Sequence, residues 1–248
     1  MIYVLIPAFD EAVHLGRLLP KIPVRLGDRQ VRVVVACDGS TDGTCQVVSE
    51  QNVELLALWP NSGKGAAVRA AAARLAGRTL DAVVTMDADG QHDPGDLHRL
   101  VGPVLSNNCD IAIGSRYLND PGRGPTPLNR YLVRNVFTRL LRHRLQQPVT
   151  DPFSGYRCMS PRAFEQIRLT GNAYENELEV RFEAELHGLS VVEVPIAKTY
   201  GRNQSKMGAA GGPLRGRVRV LHRYAATTRR KTRELAAARQ DAPLALGP

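Results

Sequence analysis

No stretch of the 248 residues approaches the roughly 18–20 consecutive apolar residues of a membrane-spanning helix, so the chain is not expected to be an integral membrane protein by itself. Cysteine is scarce: Cys37, Cys45, Cys109 and Cys158 form no CxxC pair and no metal-ligand spacing. No secretory leader is visible, since "MIYVLIPAFDEA" breaks at a proline and acids after six residues. Reduced thiols in a cytoplasmic protein are therefore expected. Aromatic residues make up only 5% of the chain, which offers no evident platform for stacking nucleic-acid bases. The P-loop pattern GxxxxGKS/T is missing, and no internal repeat is present. Acids are lacking in one place: between Leu214 and Gln240 nine Arg and Lys stand against Glu234, so about +8 of the net +9 belongs to this tail. The body is close to neutral.

With 43% hydrophobic residues the chain can build a sizeable core. Short β-branched runs alternate with helical stretches. Strands are expected at 2–7, 31–39, 53–58, 81–87 and 109–115, with helices between them around Val13–Leu19 and over 42–51, 63–77 and 95–105. This rhythm predicts a parallel sheet covered by helices on both faces. After Asn119 come a Gly/Pro-rich loop, a basic helix from Tyr131 to about Leu145, a loop with a short strand at "PVTDPFSGYRCMS", helices at "PRAFEQI" and "ENELEVRFEAELHG", and a strand at 190–200.

The chemistry gathers where "DAVVTMD" runs into "ADGQHDP". Residues i and i+2 of an extended segment project to one side, so Asp87 and Asp89 can point together into the crevice at the carboxyl end of a parallel strand. Two hard oxygen donors there suit Mg²⁺ or Mn²⁺ shared with a diphosphate, and Gln91 offers a third oxygen. The alternative is a loop of capping acids, because Asp93-Pro94 can open the next helix. His92 is expected to be structural and His14 to sit on a polar helix face.

Seven clusters follow in order: "IPAFDEA", "CDGSTDGT", "NSGKGAAVRA", the acids, "GSRY", "DPFSGYRCMS" and "YGRNQSK". This ordered set resembles the family 2 glycosyltransferases of GT-A fold, in particular the polyprenyl (dolichyl) phosphate mannosyl- and glucosyltransferases, over roughly residues 2–206. The resemblance implies an α/β fold: a Rossmann-like, doubly wound, mostly parallel sheet in a single catalytic domain (1–206), with a basic amphipathic C-terminal segment (207–240) and a frayed end (241–248). It implies a nucleotide-sugar donor bound by Pro7, Ala8, Phe9, Glu11, Asp38, Gly63, Lys64, Asp87, Arg116, Arg202 and Lys206, with Gly65 beside Lys64. It assigns Asp87, Asp89 and Gln91 to the metal, and Arg130, Arg134 and Ser205 to the acceptor phosphate. Local alternatives stand beside these roles: helix capping for Glu11 and Asp38, and a solvated face for Lys64, Arg130 and Arg134. Two departures are visible, Cys37 where the family usually has a first aspartate and Asp10 where asparagine is common.

An alcohol acceptor needs a carboxylate to take its proton, whereas a phosphate acceptor is already an anion. Asp89, Asp151 and Glu177 are the candidate catalytic carboxylates, with Glu177 falling where other family 2 enzymes carry their presumed base. A plain i,i+4 pair with Arg181 is the other account of Glu177. The tail, with Val218, Leu221 and Tyr224 or Ala225 at helical spacing, could lie on an anionic membrane surface or dock on the body. The expected activity is metal-dependent, inverting transfer of a sugar from GDP-mannose or a UDP-sugar to a polyprenyl phosphate at the cytoplasmic membrane face. The alternatives are a soluble hydroxyl acceptor, or a non-enzymatic module binding an anionic partner. No nucleic-acid partner is expected, and the oligomeric state is left open.

Overall fold

A computed structural model describes residues 1–197, apart from 121, 123 and 125, and residues 213–241, with the side chains of 213–217 and 241 excepted. Arg202, Ser205, Lys206, the boundary at 206/207 and, of the segment 241–248 expected to be frayed, residues 242–248 lie outside the described residues.

The central strand β1 (Ile2–Ala8) is a continuous apolar run, as a strand covered on both faces must be. Its side chains alternate: Ile2, Val4 and Ile6 join one core cluster, Tyr3 and Leu5 the other. β1 pairs in parallel with β3 (Arg29–Asp38) on one side and β5 (Ala82–Thr85) on the other. Beyond β3 lies β4 (Glu54–Leu58), also parallel, while the two-residue β2 (Arg25–Leu26) forms an antiparallel hairpin with the start of β3. Beyond β5 come β7 (Arg157–Met159), β6 (Ile111–Ser115) and β8 (Val191–Pro195). Only β7 runs against its two neighbours within this central array. The sheet is thus mostly parallel, as expected.

One face is covered by α1 (Ala12–Leu18), α2 (Thr44–Ser49) and α4 (Leu97–Leu105). In α4 the buried positions Leu97, Leu100, Val101 and Val104 have the spacing of one helical face, and Asp93 with Pro94 starts the turn before it. The other face carries α3 (Lys64–Ala73), α6 (Pro161–Gln166) and α7 (Asn176–Leu186). α5 (Leu128–Arg142) and the 29-residue α8 (Pro213–Asp241) share a further apolar cluster with α7 through Phe137, Phe182 and Tyr224.

The expectation of reduced thiols throughout is corrected. Cys37 at the end of β3 and Cys45 in the first turn of α2 form a disulfide, because the tight loop between them brings their Cα atoms to 5.9 Å. Cys109 and Cys158 are free and buried.

The tail is not a solvated basic helix. α7 is buried nearly all round, and burying its acids is costly unless each meets a partner. α8 supplies several of them: Arg230 reaches Glu179 at 2.6 Å, Lys231 reaches Glu183 at 2.6 Å and Arg239 reaches Glu185 at 2.9 Å. Docking on the body therefore occupies much of the charge expected to meet a membrane, although Val218 and Leu221 stay exposed.

Candidate active site

β1, β3, β5 and β6 all end at one edge of the sheet, and the order of connections reverses around β1, the position at which open α/β sheets form a ligand crevice. Loops from these strands and α7 line it. Asp87 leaves β5 with its carboxylate 2.7 Å from Lys64 Nζ, and the same ammonium lies 2.8 Å from Glu177 Oε1. Burial opposes every charge in this trio. For Lys64 the two carboxylates outweigh that cost and raise its pKa, and for Asp87 the lysine holds the carboxyl below its ordinary range. Glu177 goes the other way, its carboxyl raised by burial against the pull of Lys64.

Asp89 is raised as well, first by burial and then by the negative charge of Asp87. Its two oxygens accept the backbone N–H and side-chain amide of Gln91, at 3.0 and 2.9 Å. Among the described residues no three His, Cys, Asp or Glu side chains gather as a ready metal cage. The donor set still fits Mg²⁺ or Mn²⁺, which take one or two carboxylates and complete their shell with water and phosphate oxygens. The raised carboxyl of Asp89 is the mark of a crowded anionic pair that a cation would relieve. Gln91 orients Asp89 through its amide N–H.

The surrounding residues hold this geometry. His92 is buried and accepts the Asp87 backbone N–H on Nδ1 at 3.0 Å, while its ring stacks on Tyr156 at 4.9 Å. It is structural, as expected, and burial drives its pKa down to about 4. Gly155, from the "SGYR" cluster, must lack a side chain, since a Cβ there would stand 2.8 Å from Asp87 Oδ1. Gly65 packs under the 171–173 segment, donating its N–H to Asn172 at 2.9 Å, where a Cβ would strike the Gly171 carbonyl.

Asp38 is buried at the end of β3 and accepts the N–H groups of Ser62 and Gly63 at 2.9 and 2.7 Å, so it anchors the loop that presents Lys64. Glu11 does not cap its helix; its carboxylate pairs with His14 Nδ1 at 2.6 Å, and His14 in turn lies against Gly90 of the acidic loop. The first two loops are tied together by Glu11 N–H to Thr44 and Thr41 N–H to Asp10, both at 2.8 Å. Pro7 and Ala8 end β1, and Phe9 is exposed beside them.

Two candidate bases, Asp151 and Glu177, are each engaged by neighbouring side chains. Asp151 is fully buried and receives Arg116 on both oxygens, at 2.7 and 3.0 Å. Burial opposes its charge, but Arg116 keeps the carboxyl below its usual range, so Asp151 is a clamp that aims the arginine. Glu177 is held by Lys64 and by the Tyr224 hydroxyl, which donates to Oε2 at 3.0 Å. Nor does Glu177 pair with Arg181, whose guanidinium instead meets Glu193 at 2.5 Å. Arg130 lies part-buried on α5, while Arg134 is buried against Tyr117 and Tyr131 and lines a cavity that shares no residue with the void beside Lys64 and Asp87. Sequence reasoning missed Arg157, buried in the lining beside Glu177, and Tyr224, whose role depends on a helix folding back from 47 residues away. The "SGYR" pattern carries the signal for the first; nothing local carries one for the second.

A family model described as "Glycosyl transferase family 2" matches residues 3–168. The chain is 31% identical over 205 residues to the polyprenol monophosphomannose synthase of Mycolicibacterium smegmatis, covering 79% of this chain and 76% of that one. It is 27% identical over 220 residues to the UDP-N-acetylglucosamine–dolichyl-phosphate N-acetylglucosaminyltransferase of Methanococcus voltae, covering 81% and 86%. Among solved structures, glucosyl-3-phosphoglycerate synthase from Mycobacterium tuberculosis, in complex with Mn²⁺, uridine diphosphate and phosphoglyceric acid, superposes with a TM-score of 0.72 at 20% identity, over 94% of this chain and 78% of that one. That likeness shows the shared GT-A fold. The chain belongs to glycosyltransferase family 2 and is a glycosyltransferase.

Proposed function

We propose that the protein moves a sugar from a nucleoside diphosphate donor to a polyprenyl phosphate, with inversion at the anomeric carbon. The observation that carries this reading is the engagement of both extra candidate bases: Asp151 is spent on Arg116, and Glu177 on Lys64 and Tyr224. Engagement of these two carboxylates suits an acceptor that is already an anion near neutral pH and needs no base. Relatives named for polyprenol and dolichyl phosphate support the same acceptor class.

In this reading Asp87 and Asp89 hold Mg²⁺ or Mn²⁺, which would neutralise the departing diphosphate. Lys64 adds a fixed positive charge beside Asp87, and Arg116, aimed by Asp151, presents a guanidinium suited to phosphate oxygens. Pro7, Ala8, Phe9 and Glu11 flank the nucleoside, with Asp38 and Gly63 setting the loop behind it. Arg202 and Lys206 are assigned to the donor, and Arg130 with Ser205 to the acceptor phosphate. The surface suited to a membrane is α5, where Leu128, Leu132 and Val136 recur every four residues and are 58%, 54% and 65% exposed.

A second reading, transfer to a soluble phosphate-bearing acceptor, is favoured by one observation: the structural neighbour's complex contains phosphoglyceric acid. One assay separates the two. Protein, Mn²⁺ or Mg²⁺, a polyprenyl phosphate and labelled GDP-mannose, UDP-glucose or UDP-N-acetylglucosamine are incubated and partitioned against organic solvent. Label in the organic phase, lost with EDTA or in Asp89→Ala, is the expected result and names the donor. Donor consumption with all label remaining aqueous would sink the lipid reading.

A further inference from the structure

The Cys37–Cys45 bond closes a ring around residues 38–44, the turn that joins β3 to α2. Its two ends are held unequally. Cys37 has no exposed surface and is locked in the sheet between Ala8 of β1 and Ala57 of β4. Its side chain projects to the same face as that of Val35, two residues earlier, which is the face α2 covers. Cys45 lies half-buried in the first turn of α2, behind the exposed residues Thr41, Asp42 and Gly43. That helix is weakly anchored at its start. It is six residues long, too short to persist alone, and its N-cap, Gly43, offers no side-chain hydrogen bond. Gly39 and Gly43 have φ of 71° and 85°, so the turn contains two points of low backbone restraint.

The ring encloses the contacts that set the first two crevice loops against each other. Ser40 Oγ accepts the Asp10 N–H at 3.0 Å, Thr44 Oγ1 accepts that of Glu11 at 2.8 Å, and Asp42 accepts that of Ala12 at 3.2 Å. The Thr41 N–H returns to Asp10 at 2.8 Å. Asp38, inside the same ring, fixes Ser62 and Gly63 ahead of Lys64. Two of the four cross-loop bonds are exposed to water, where a hydrogen bond adds little by itself. A cross-link across the turn removes competing conformations and raises the fraction of molecules in which all four bonds form together.

We propose that the disulfide positions the nucleoside end of the donor crevice, and that a dithiol reductant releases it. The inference rests on the assignment of Glu11 and Asp38 to the donor. A thiolate of the reductant attacks Sγ of the half-buried Cys45. The S–S bond breaks with its electron pair leaving on Cys37, which takes up a proton. The reductant's second thiol, deprotonated in turn, attacks its own sulfur in the mixed disulfide, and Cys45 leaves and is protonated. One protein disulfide and one dithiol thereby become two protein thiols and one oxidised reductant. Cys37 stays in the sheet, while the turn and the start of α2 gain freedom. The donor then meets a fractionally populated loop, and its apparent Kd rises by the inverse of that fraction.

The test uses the full chain and titrates GDP and UDP, each with Mn²⁺. The forms compared are the oxidised protein, the same protein treated with dithiothreitol, and Cys45→Ser. Thiols are counted in denaturant before and after treatment, and a melting curve is recorded for each form. Two thiols are expected before treatment, Cys109 and Cys158, and four after it. The Kd of the bound nucleotide should rise about tenfold on reduction, as for a loop that is competent in about one molecule in ten, and return on reoxidation. Cys45→Ser should bind as the reduced protein does and ignore dithiothreitol. Four thiols before treatment, or two after it, overturn the proposal, as does an unchanged Kd. Binding lost together with the melting transition also overturns it and leaves the bond a structural staple. Nucleotide binding by none of the forms overturns the donor assignment, and this proposal with it.

Discussion

Asp151 and Arg116 show how a carboxylate that looks catalytic in the sequence becomes a positioning group. Asp151 has no exposed surface, and both its oxygens are taken by one guanidinium. Asp151→Asn would remove the carboxylate that holds the half-buried Arg116 and is expected to lower unfolding stability by about 1–3 kcal/mol. If it acts only through Arg116, donor KM rises while the pH profile of kcat keeps its shape. Loss of the acidic limb of that profile, with stability intact, would restore it as a base. His92 carries a second prediction. Its folded pKa, about 4, lies below the ordinary value of 6.5, so the unfolded chain takes up the proton first as pH falls. The contribution is therefore complete above pH 6.5 and is lost as the pH falls toward 4, with an upper bound of about 3 kcal/mol. His92→Asn, which can still accept the Asp87 N–H, should flatten the decline of urea-unfolding stability across that interval. An unchanged slope would mean other groups dominate it.

At the scale of elements, α7 and α8 form the least expected unit. α7 reads in the sequence as an acidic helix, and acidic helices are ordinarily solvated. Packed between the sheet and α8, it places Val180 and Ala184 in one apolar cluster and Leu178 and Phe182 in another. Its acids then need partners, and α8 brings Tyr224, Arg230 and Lys231 into reach. Tyr224→Phe should leave Glu177 Oε2 short of one donor in a buried setting and cost about 1–3 kcal/mol, read by chemical unfolding. Because the same glutamate holds Lys64, the substitution should also lower donor affinity, measured by titration with nucleoside diphosphate and Mn²⁺. Stability lost with affinity unchanged would confine α8 to a structural role.

Across the whole molecule, a ligand that binds only the folded state adds to its stability in proportion to the logarithm of its concentration over Kd. At one hundred times Kd the gain is about 2.7 kcal/mol. Mn²⁺ with a nucleoside diphosphate should therefore raise the melting temperature together more than either does alone, and Asp89→Ala should abolish the joint effect. An undiminished joint shift in that variant would place the cation elsewhere.

Apart from the two-residue β2, the strand and helix order through β6, the mostly parallel sheet and the pairing of Asp87 with Asp89 at a strand's end were legible in the chain itself. Buried parallel strands leave unbroken β-branched runs, and paired acids at a strand's end stand out against them. What the tertiary structure alone decided is which charges meet. The antiparallel entry of β7, the Cys37–Cys45 bond, the clamp of Asp151 on Arg116 and the bridge from Tyr224 through Glu177 to Lys64 all join residues by close approach in space. Local pattern records periodicity and turn chemistry. It carries no record of the partner a buried charge finds, because that partner is selected by packing after distant segments have come together.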